Sequence, residues 1–519
     1  MKKLIKTAGV ILSLLIVLSC ISVSSASAAG GLYSFYYSNG EARITRCQTY
    51  AVGKVEIPST YTLTDSLFVC IDEDCDYENP VRQYVCPDCG YVSNKSLKKC
   101  TECGSDEANS LDICPECKKT STVFSKDVLV PVTLISGGAF ADCTYMTEVV
   151  IPASVTKIEE GAFRNCTSLK KVVFEGDECA IDASAFAYCV ALEEIVLPAS
   201  LQRISDNMFE GCTSLASINI PSTVTLIGER AFEMCKTLTQ IDIPASVNAI
   251  RKNAFLGCTS VTAFDVKSGN TVYSDVNGVL YGPYQSSYDP KVFSANTDKT
   301  LIQYPNGSSA TSFTVPSDVK IIADYAFGEN AKITKIYLPN GLKKIDAYAF
   351  YMCKNLSDIT IPSTVTEIGS QAFAKCDSLK KITIPASVTY FESAFYDSGL
   401  EEVVIENGVK AISMRAFENC TSLEKVTIPE SVTAIYSGAF YNCSSLGETE
   451  IPSSVTTIGT RAFDGCDSLS IIAEEGSVAY EYAVENGIEI SDGEEELSFF
   501  RKIINAILNF FAMILSLFA

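Results

Sequence analysis

Eight of the 22 cysteines in this chain form four closely spaced pairs. They are Cys70 with Cys75, Cys86 with Cys89, Cys100 with Cys103, and Cys114 with Cys117, and ten residues separate each pair from the next. Two such knuckles supply four thiolates, the tetrahedral ligand set that suits Zn²⁺. The spacing predicts two structural zinc ions, with four local disulfides or a rubredoxin-type iron centre as alternatives. With every ligand position taken by cysteine, the metal would have no open position for catalysis.

The pairing of these knuckles is left open by their spacing. The inner four cysteines, from Cys86 to Cys103, resemble a zinc ribbon. Sequential, nested and interleaved pairings of the four knuckles all remain possible from the sequence. The chain has no histidine, so a mixed Cys/His site is excluded and four-thiolate coordination is the option for a bound metal.

The composition excludes several functional classes. Without histidine there is no Ser-His-Asp triad, Cys-His pair or imidazole proton shuttle. A formal charge of −22 argues against binding to nucleic acid, because phosphate neutralisation needs a basic face. We therefore expect a protein that is not an enzyme; a thiol oxidoreductase using one C-x2-C pair is the catalytic alternative, and the sequence around the knuckles lacks the βαβ pattern it would need.

A phenylalanine recurs with a fixed period through the rest of the chain. It stands at every 23rd residue from 140 to 255 and resumes from 327 to 463, where two steps are 22 residues. One unit contains the strand pattern Leu238-x-x-Ile241-x-Ile243, directly followed by Pro244, which stops the strand from extending. Such a period predicts a leucine-rich-repeat solenoid of about 23 residues per coil, with a parallel β-sheet on one face.

Eleven further cysteines stand three residues after the repeated phenylalanine, for example Cys166 and Cys235. Stacked strands lie close enough for disulfides, so distance alone does not exclude bonding along the stack. Asn330 and Ser398 occupy the equivalent position in two repeats, which indicates a need for a small hydrogen-bonding group. We therefore predict a row of buried, reduced, structural thiols. Cys47 and Cys179 belong to neither set.

The repeat phrase IPxSVTxIxxxAFxxCxSLxxIxIP resembles the BspA-like leucine-rich repeats of bacterial surface proteins over roughly residues 33–490. The phrases NGEARIT, NTVYSDVNGVLY and GSVAYEYAVENGI are similar to that family's first, interrupting and closing coils. The resemblance implies a cell-surface or secreted binding protein, with adhesion to protein or carbohydrate ligands on host or neighbouring cells. It implies no catalytic residue.

The two ends of the chain carry apolar segments. Residues 1–28 have the basic, apolar and small-residue regions of a secretory signal peptide; a lipoprotein signal at Cys20 is the alternative. Residues 497–519 predict a hydrophobic amphipathic helix that contacts a membrane surface, spans the membrane or oligomerises. The predicted organisation is the signal (1–28), the first coil (29–60), the zinc-ribbon-like insertion (61–129), repeats (130–264), irregular tyrosine-rich coils (265–315), repeats and a closing coil (316–490), an acidic linker (491–496) and the terminal helix (497–519).

The outward-facing strand positions are the candidate ligand surface. We predict contacts from mixed acidic, amide and aromatic side chains: Glu193, Glu194, Asn219, Gln240, Asp242, Asp265, Tyr337 and Asp358. Tyrosines of the interruption, including Tyr273, Tyr281 and Tyr304, either anchor ligands or seal a break in the stack. An envelope-associated assembly protein, docking partners through the zinc module and the terminal helix, is the alternative function.

Overall fold

The computed structural model describes residues 33–38, 41–47, 51–63, 81–85, 92–93, 109–113, 128–283 and 298–491. The described chain forms two compact units. The first contains residues up to 46, 57–135 and 152–156, and the second contains residues 47–56, 136–151 and those from 157 onward.

The described elements are short strands and one helix. Strands in the first half of the chain are β1 (Tyr33–Ser38), β2 (Glu41–Cys47), β3 (Gly53–Glu56), β4 (Thr60–Leu63), β5 (Val81–Val85), β6 (Val92–Ser93), β7 (Asn109–Ile113), β8 (Val128–Ile135), β9 (Met146–Ile151), β10 (Lys157–Ile158), β11 (Lys171–Phe174), β12 (Ala180–Ile181), β13 (Glu194–Ile195), β14 (Arg203–Ile204), β15 (Leu226–Ile227), β16 (Gln240–Ile243), β17 (Ala249–Ile250) and β18 (Ala263–Val266). They continue with β19 (Ser274–Val276), β20 (Val279–Gly282), β21 (Thr300–Gln303), β22 (Ser312–Thr314), β23 (Ile321–Ile322), β24 (Lys335–Tyr337), β25 (Lys344–Ile345), β26 (Asp358–Ile359), β27 (Glu367–Ile368), β28 (Lys381–Ile384), β29 (Glu402–Ile405), β30 (Ala411–Ile412), β31 (Lys425–Thr427), β32 (Ala434–Ile435), β33 (Thr449–Glu450), β34 (Thr457–Ile458), β35 (Ser470–Ile472), helix α1 (Val478–Asn486) and β36 (Glu489–Ile490).

The first unit combines parallel and antiparallel pairing. Strand β2 runs parallel to β8, and β4 runs antiparallel to β8 with Thr60 opposite Pro131 and Leu63 opposite Val128. Strands β4 and β8 therefore bring together the two ends of the segment between them. Within that segment, β5 pairs antiparallel with β6 and with β7.

The second unit is a parallel β-solenoid, as the 23-residue period predicts. Strands one repeat apart pair in parallel, so that Lys171 lies beside Glu194 and Leu226 beside Ala249. The isoleucines of the strand pattern point inward: Ile241 and Ile243 are fully buried, whereas Gln240 is exposed and Asp242 is half-buried. Because no single coil can bury this apolar face alone, the coils are stable only when stacked.

The repeated phenylalanines form the centre of this core. From Phe140 to Phe255 their rings stack with centroids 4.7–5.9 Å apart. A second stack runs from Phe327 to Phe463 with centroids 5.0–5.4 Å apart. These distances are close to the spacing of about 4.8 Å between neighbouring strands of a sheet. The stacking of the rings therefore follows from the pairing of the strands.

The interruption between the two stacks is an antiparallel meander. Strand β20 pairs antiparallel with β19 and β21, and β21 then pairs in parallel with β23. Tyr304 stacks on Phe327 at 4.9 Å, and its N–H donates to the Ala326 carbonyl at 2.8 Å as Phe327 does to Ala349. Tyr304 therefore adds one aromatic ring to the second stack. With Tyr273 and Tyr281 also buried, these tyrosines pack the break in the repeat.

In each coil that contains the repeated phenylalanine, the residues two before and two after it have φ in the left-handed region. Arg230 (φ 52°) and Met234 (φ 60°) are one such pair, and non-glycine residues fill most equivalent positions. The backbone N–H of each donates to the next coil, from Arg230 to Lys252 O at 3.2 Å and from Met234 to Leu256 O at 2.7 Å. These bonds offset the cost of about 1–2 kcal/mol that a side chain has in this conformation.

Helix α1 closes the second unit at its C-terminal end. Ser477 caps the helix by accepting a hydrogen bond from Tyr480 N, and Gly487 ends it in the left-handed conformation at φ 67°. Ala479 and Ala483 of this helix are fully buried. The signal segment 1–28, the eight paired cysteines and the terminal segment 497–519 lie outside the described residues. In the part of the chain that is described, no helix has the length and apolar content needed to cross a membrane.

Candidate ligand-binding surface

The eight predicted ligand residues all lie on one face of the second unit, the face formed by the strands of the L-x-x-I-x-I pattern. We call it the strand face. Six of the side chains are exposed, and Asp242 and Asp265 are half-buried. The strand pattern explains this placement, since residues alternate between core and solvent along each strand. Except for Asn219, each has a lysine or another polar group within contact distance, so the residues fall into separate groups along the stack.

The central group contains Lys267, a residue that was not predicted from the sequence. Lys267 Nζ lies 2.7 Å from both Asp242 Oδ2 and Asp265 Oδ2. Gln240 Nε2 donates to Asp242 Oδ1 at 2.6 Å. The hydrogen bond from Lys267 lowers the pKa of Asp242, and the same contact raises the pKa of Lys267. The ammonium group thus occupies the position between the two carboxylates that a metal cation would take.

A second group contains an aromatic ring. Lys335 Nζ lies 2.5 Å from Asp358 Oδ2 and 4.8 Å from the centre of the Tyr337 ring. The hydrogen bond to Asp358 raises the pKa of Lys335. Tyr337 remains 50% exposed, which leaves a large part of its surface available for contact with a ligand.

The third group repeats the same pairing of charges. Lys170 and Lys171 lie on the coil before Glu193 and Glu194, at 3.6 and 2.8 Å respectively. The lysines could have been found in the sequence, because each stands 23 residues before its glutamate. At these exposed sites each pair contributes little to stability, at most about 1 kcal/mol. Their main effect is to reduce the negative charge of this surface.

The row of thiols is confirmed as structural. Each cysteine of the row from Cys166 onward donates its Sγ–H to a phenylalanine carbonyl of the preceding coil at 3.1–3.2 Å, as in Cys235 to Phe209 O. Burial raises the pKa of the Cys258 and Cys353 thiols to about 12 and that of Cys420 to about 11. Thiols in this state are poor nucleophiles. Cys179 is buried as well, and burial raises its pKa to about 12.

No group of three or more cysteine, aspartate or glutamate side chains among the described residues is close enough to hold a metal ion. The eight predicted zinc ligands lie outside the described part of the chain. The prediction of zinc therefore depends on their spacing and on the strands that flank them.

Comparison with known protein families identifies the repeat, and most of the matched residues lie in the second unit. The model of the BspA type leucine rich repeat region matches residues 133–262, 304–394 and 391–486, which together are more than half of the chain. The chain belongs to the BspA type leucine rich repeat family. The three matches leave out residues 263–303, which contain the antiparallel meander. This family is one of repeat proteins, and the match indicates no enzyme family.

Two solved structures resemble this BspA type protein over most of their length. A leucine rich cell surface protein from Faecalibacterium prausnitzii A2-165 is 28% identical, with 78% of this chain and 95% of that chain covered and a TM-score of 0.55. The pneumococcal vaccine antigen PcpA is 19% identical, with 88% and 95% covered and a TM-score of 0.57, and this likeness concerns the fold alone. A search of the curated proteins gives no match.

Proposed function

We propose that this protein is an exported, non-catalytic binding protein that presents its strand face to protein or carbohydrate ligands at the cell surface. The observation that carries the proposal is the row of outward side chains on the stacked strands, including Gln240, Tyr337 and Asp358. A stack of coils offers such side chains at a regular spacing over a long surface, which suits repeat proteins to binding. The related Faecalibacterium prausnitzii protein, itself a leucine rich cell surface protein, supports the same location.

The chemistry of the described residues supports binding over catalysis. In the row of thiols, the cysteines from Cys166 to Cys443 are buried and donate to backbone carbonyls, and the carboxylates of Glu194, Asp242 and Asp358 are paired with lysines. Neither set provides a reactive nucleophile beside a base, which covalent catalysis requires.

Location and binding are tested separately. Antibody labelling of intact producing cells should detect the protein, and the purified full chain should retain a ligand on arrays of glycans and matrix proteins. Lys267→Ala, which removes a ligand-facing charge without touching the core, is a suitable surface variant for mapping. Absence of labelling on intact cells that carry the protein would contradict surface exposure, and a lack of retention on every array would contradict binding.

The ends of the chain belong to the same proposal. Cleavage after residue 28 would deliver the protein outside the membrane, and residues 497–519 would hold it at the membrane surface. Deletion of residues 491–519 should move the protein from the membrane fraction to the medium. An unchanged membrane fraction would contradict this anchoring role, and also the alternative in which the terminal helix docks an envelope assembly.

We further propose that the four cysteine knuckles bind two structural zinc ions in a nested arrangement. The antiparallel register of β5 and β7 favours this pairing, because residue 85 lies opposite 109 and residue 81 lies opposite 113. Cys86 and Cys89 follow β5 in sequence, and Cys100 and Cys103 precede β7, so the chain adjoins the same end of the sheet in both cases. By the same argument, Cys70 and Cys75 precede β5 at the end that Cys114 and Cys117 follow.

The nested arrangement has a stoichiometric test. Metal analysis of the purified full chain should give two zinc ions. The double variant C86S/C100S should lose one ion because both residues would belong to one site. The double variant C70S/C86S should lose both ions if pairing is nested, whereas sequential pairing predicts the loss of one. Retention of one zinc in C70S/C86S would therefore overturn the nesting, and the absence of bound metal from the unmodified chain would overturn the zinc proposal.

A further inference from the structure

The strand face contains a cleft at a place where two neighbouring coils do not pair. Strand β26 pairs with β24, and β28 pairs with β29, but within the described residues no strand pairing joins β26 to β28. In the flanking coils, Ser357 N donates to Thr334 O at 2.9 Å and Glu401 N to Lys380 O at 2.7 Å. No equivalent bond joins Lys380 N to Ser357 O, so the sheet is open at this point.

The charged side chains that line the cleft do not pair with each other. Asp358 and Lys381 stand 23 residues apart on neighbouring coils and form no ion pair. Here Asp358 pairs with Lys335 on the coil before, and Lys381 pairs with Glu402 on the coil after at 2.9 Å. Asp358 and Lys381 therefore both have ion-pair partners outside the cleft.

The cleft is lined by side chains that both donate and accept hydrogen bonds. Its volume is about 300 Å³, and its lining comprises residues 357–361 and 381–383, including Asp358, Thr360, Lys381 and Thr383. The threonine hydroxyls have no protein partner among the described residues, in contrast to Thr366, which donates to Lys343 O. Tyr337 stands one coil before Thr360 in the same outward row, since Ile336 pairs with Ile359.

We propose that this cleft binds a neutral hexose or N-acetylhexosamine unit of a glycan, and this inference rests on the proposed binding function. The hydroxyl groups of a pyranose in the cleft both donate and accept hydrogen bonds. The apolar face of the next pyranose of the same glycan can pack on the exposed Tyr337 ring, which lies one coil before the cleft. Asp358 accepts, Lys381 donates, and Thr360 and Thr383 do both. Because the two charges already have partners, a neutral sugar matches the cleft better than a strongly charged ligand, whose own charge would lose hydration without gaining an unpaired counter-ion.

Neutral hexasaccharides provide the direct test. Calorimetric titration of the purified full chain with cellohexaose, maltohexaose, mannohexaose and N-acetylchitohexaose should show binding of at least one. Tyr337→Ala and Thr383→Val should each weaken that binding by about ten-fold, the loss expected for one aromatic contact or one hydrogen bond. Tyr436→Ala is the matched control, because Tyr436 is 49% exposed and lies away from the cleft.

Two results would overturn the cleft as a glycan site: no binding of any of the four hexasaccharides, or binding that Tyr337→Ala and Thr383→Val leave unchanged. Retention of only a protein on the matrix-protein arrays would likewise reject the glycan ligand while leaving the wider binding function intact. Absence of the protein from the surface of intact cells would contradict the proposed function at the cell surface independently of the titrations. An unchanged melting temperature of Thr383→Val shows that its loss of binding is a local effect.

Discussion

At the scale of single residues, the position three after each repeated phenylalanine shows how one requirement admits three residue types. Cysteine donates to a carbonyl of the preceding coil, as Cys353 does to Phe327 O at 3.1 Å. Asn330 instead accepts from Ile333 N at 2.9 Å, and Ser398 Oγ lies 3.3 Å from Cys420 Sγ. A small polar group in a buried turn is needed because unpaired backbone groups there are costly. The sequence predicted this requirement from Asn330 and Ser398 alone.

Asp346 is the residue for which we expect the clearest pH dependence. Burial raises the pKa of its carboxyl group from 3.8 to about 6, although Lys344 Nζ lies 3.0 Å away and opposes the shift. Burial therefore favours the neutral carboxyl group more in the folded state than in the unfolded chain. Its contribution to stability is complete below about pH 4 and is lost as the pH rises through about 6. Asp346→Asn should remove this loss and raise the free energy of unfolding at pH 7 by at most about 3 kcal/mol.

Urea denaturation at pH 4 and pH 7 checks this prediction. The difference between Asp346→Asn and the unmodified protein should be larger at pH 7 than at pH 4. Asp377→Asn is a control, since Asp377 is exposed and should change stability little at either pH. An equal effect of Asp346→Asn at both pH values would show that the carboxyl group does not titrate in this range.

At the scale of the element, one coil is held mainly by its two neighbours. The Phe373 ring stacks on Phe350 at 5.0 Å and on Phe395 at 5.2 Å. The step from Phe373 to Phe395 is 22 residues, yet the rings remain nearly parallel at 7°. The shortened coil therefore keeps its place in the ring ladder, and the missing residue is absorbed elsewhere in the coil.

Removal of one phenylalanine ring from the stack should lower the free energy of unfolding substantially. Phe373 is fully buried, so Phe373→Ala should lower the free energy of unfolding by about 3–5 kcal/mol through lost burial and the cavity left behind. Phe373→Leu, which fills part of the cavity, should cost less. Urea denaturation measures both, with the exposed Tyr436→Ala as a control expected within about 0.5 kcal/mol of the unmodified protein. A cost for Phe373→Ala as small as that of the control would show that the ring ladder does not support the stack.

At the scale of the whole molecule, the second unit depends on closure of its last coil. Tyr482 of α1 contacts the Phe463 ring at 6.0 Å, and β36 pairs in parallel with β35. Without α1, the apolar end of the stack would be exposed to water. Terminal coils with such a cover are a general need of repeat proteins, since each coil is stabilised only by its neighbours.

A buried charge in α1 should loosen this end selectively. Ala483 is fully buried, so Ala483→Lys would place an unpaired ammonium group beneath the helix and detach it. Hydrogen exchange should then increase in residues 455–490 but not in residues 140–260, because coils contact only their neighbours. Glu485→Lys, at an exposed position of the same helix, is the control and should leave exchange unchanged. Equal loss of protection in both regions would indicate that the stack unfolds as one unit.

The sequence by itself determined the solenoid, its inward isoleucines and its ladders of phenylalanine and cysteine, because all three depend on periodicity, and a period of 23 places equivalent residues on neighbouring coils. It did not reveal that Tyr304 stacks with the repeated phenylalanines, since the interruption changes the period around it. The tertiary structure decided two features: the pairing of Lys267 with Asp242 and Asp265, and the cleft between Asp358 and Lys381. Both depend on how far neighbouring coils approach each other, a distance set by the packing of whole coils that no single repeat encodes.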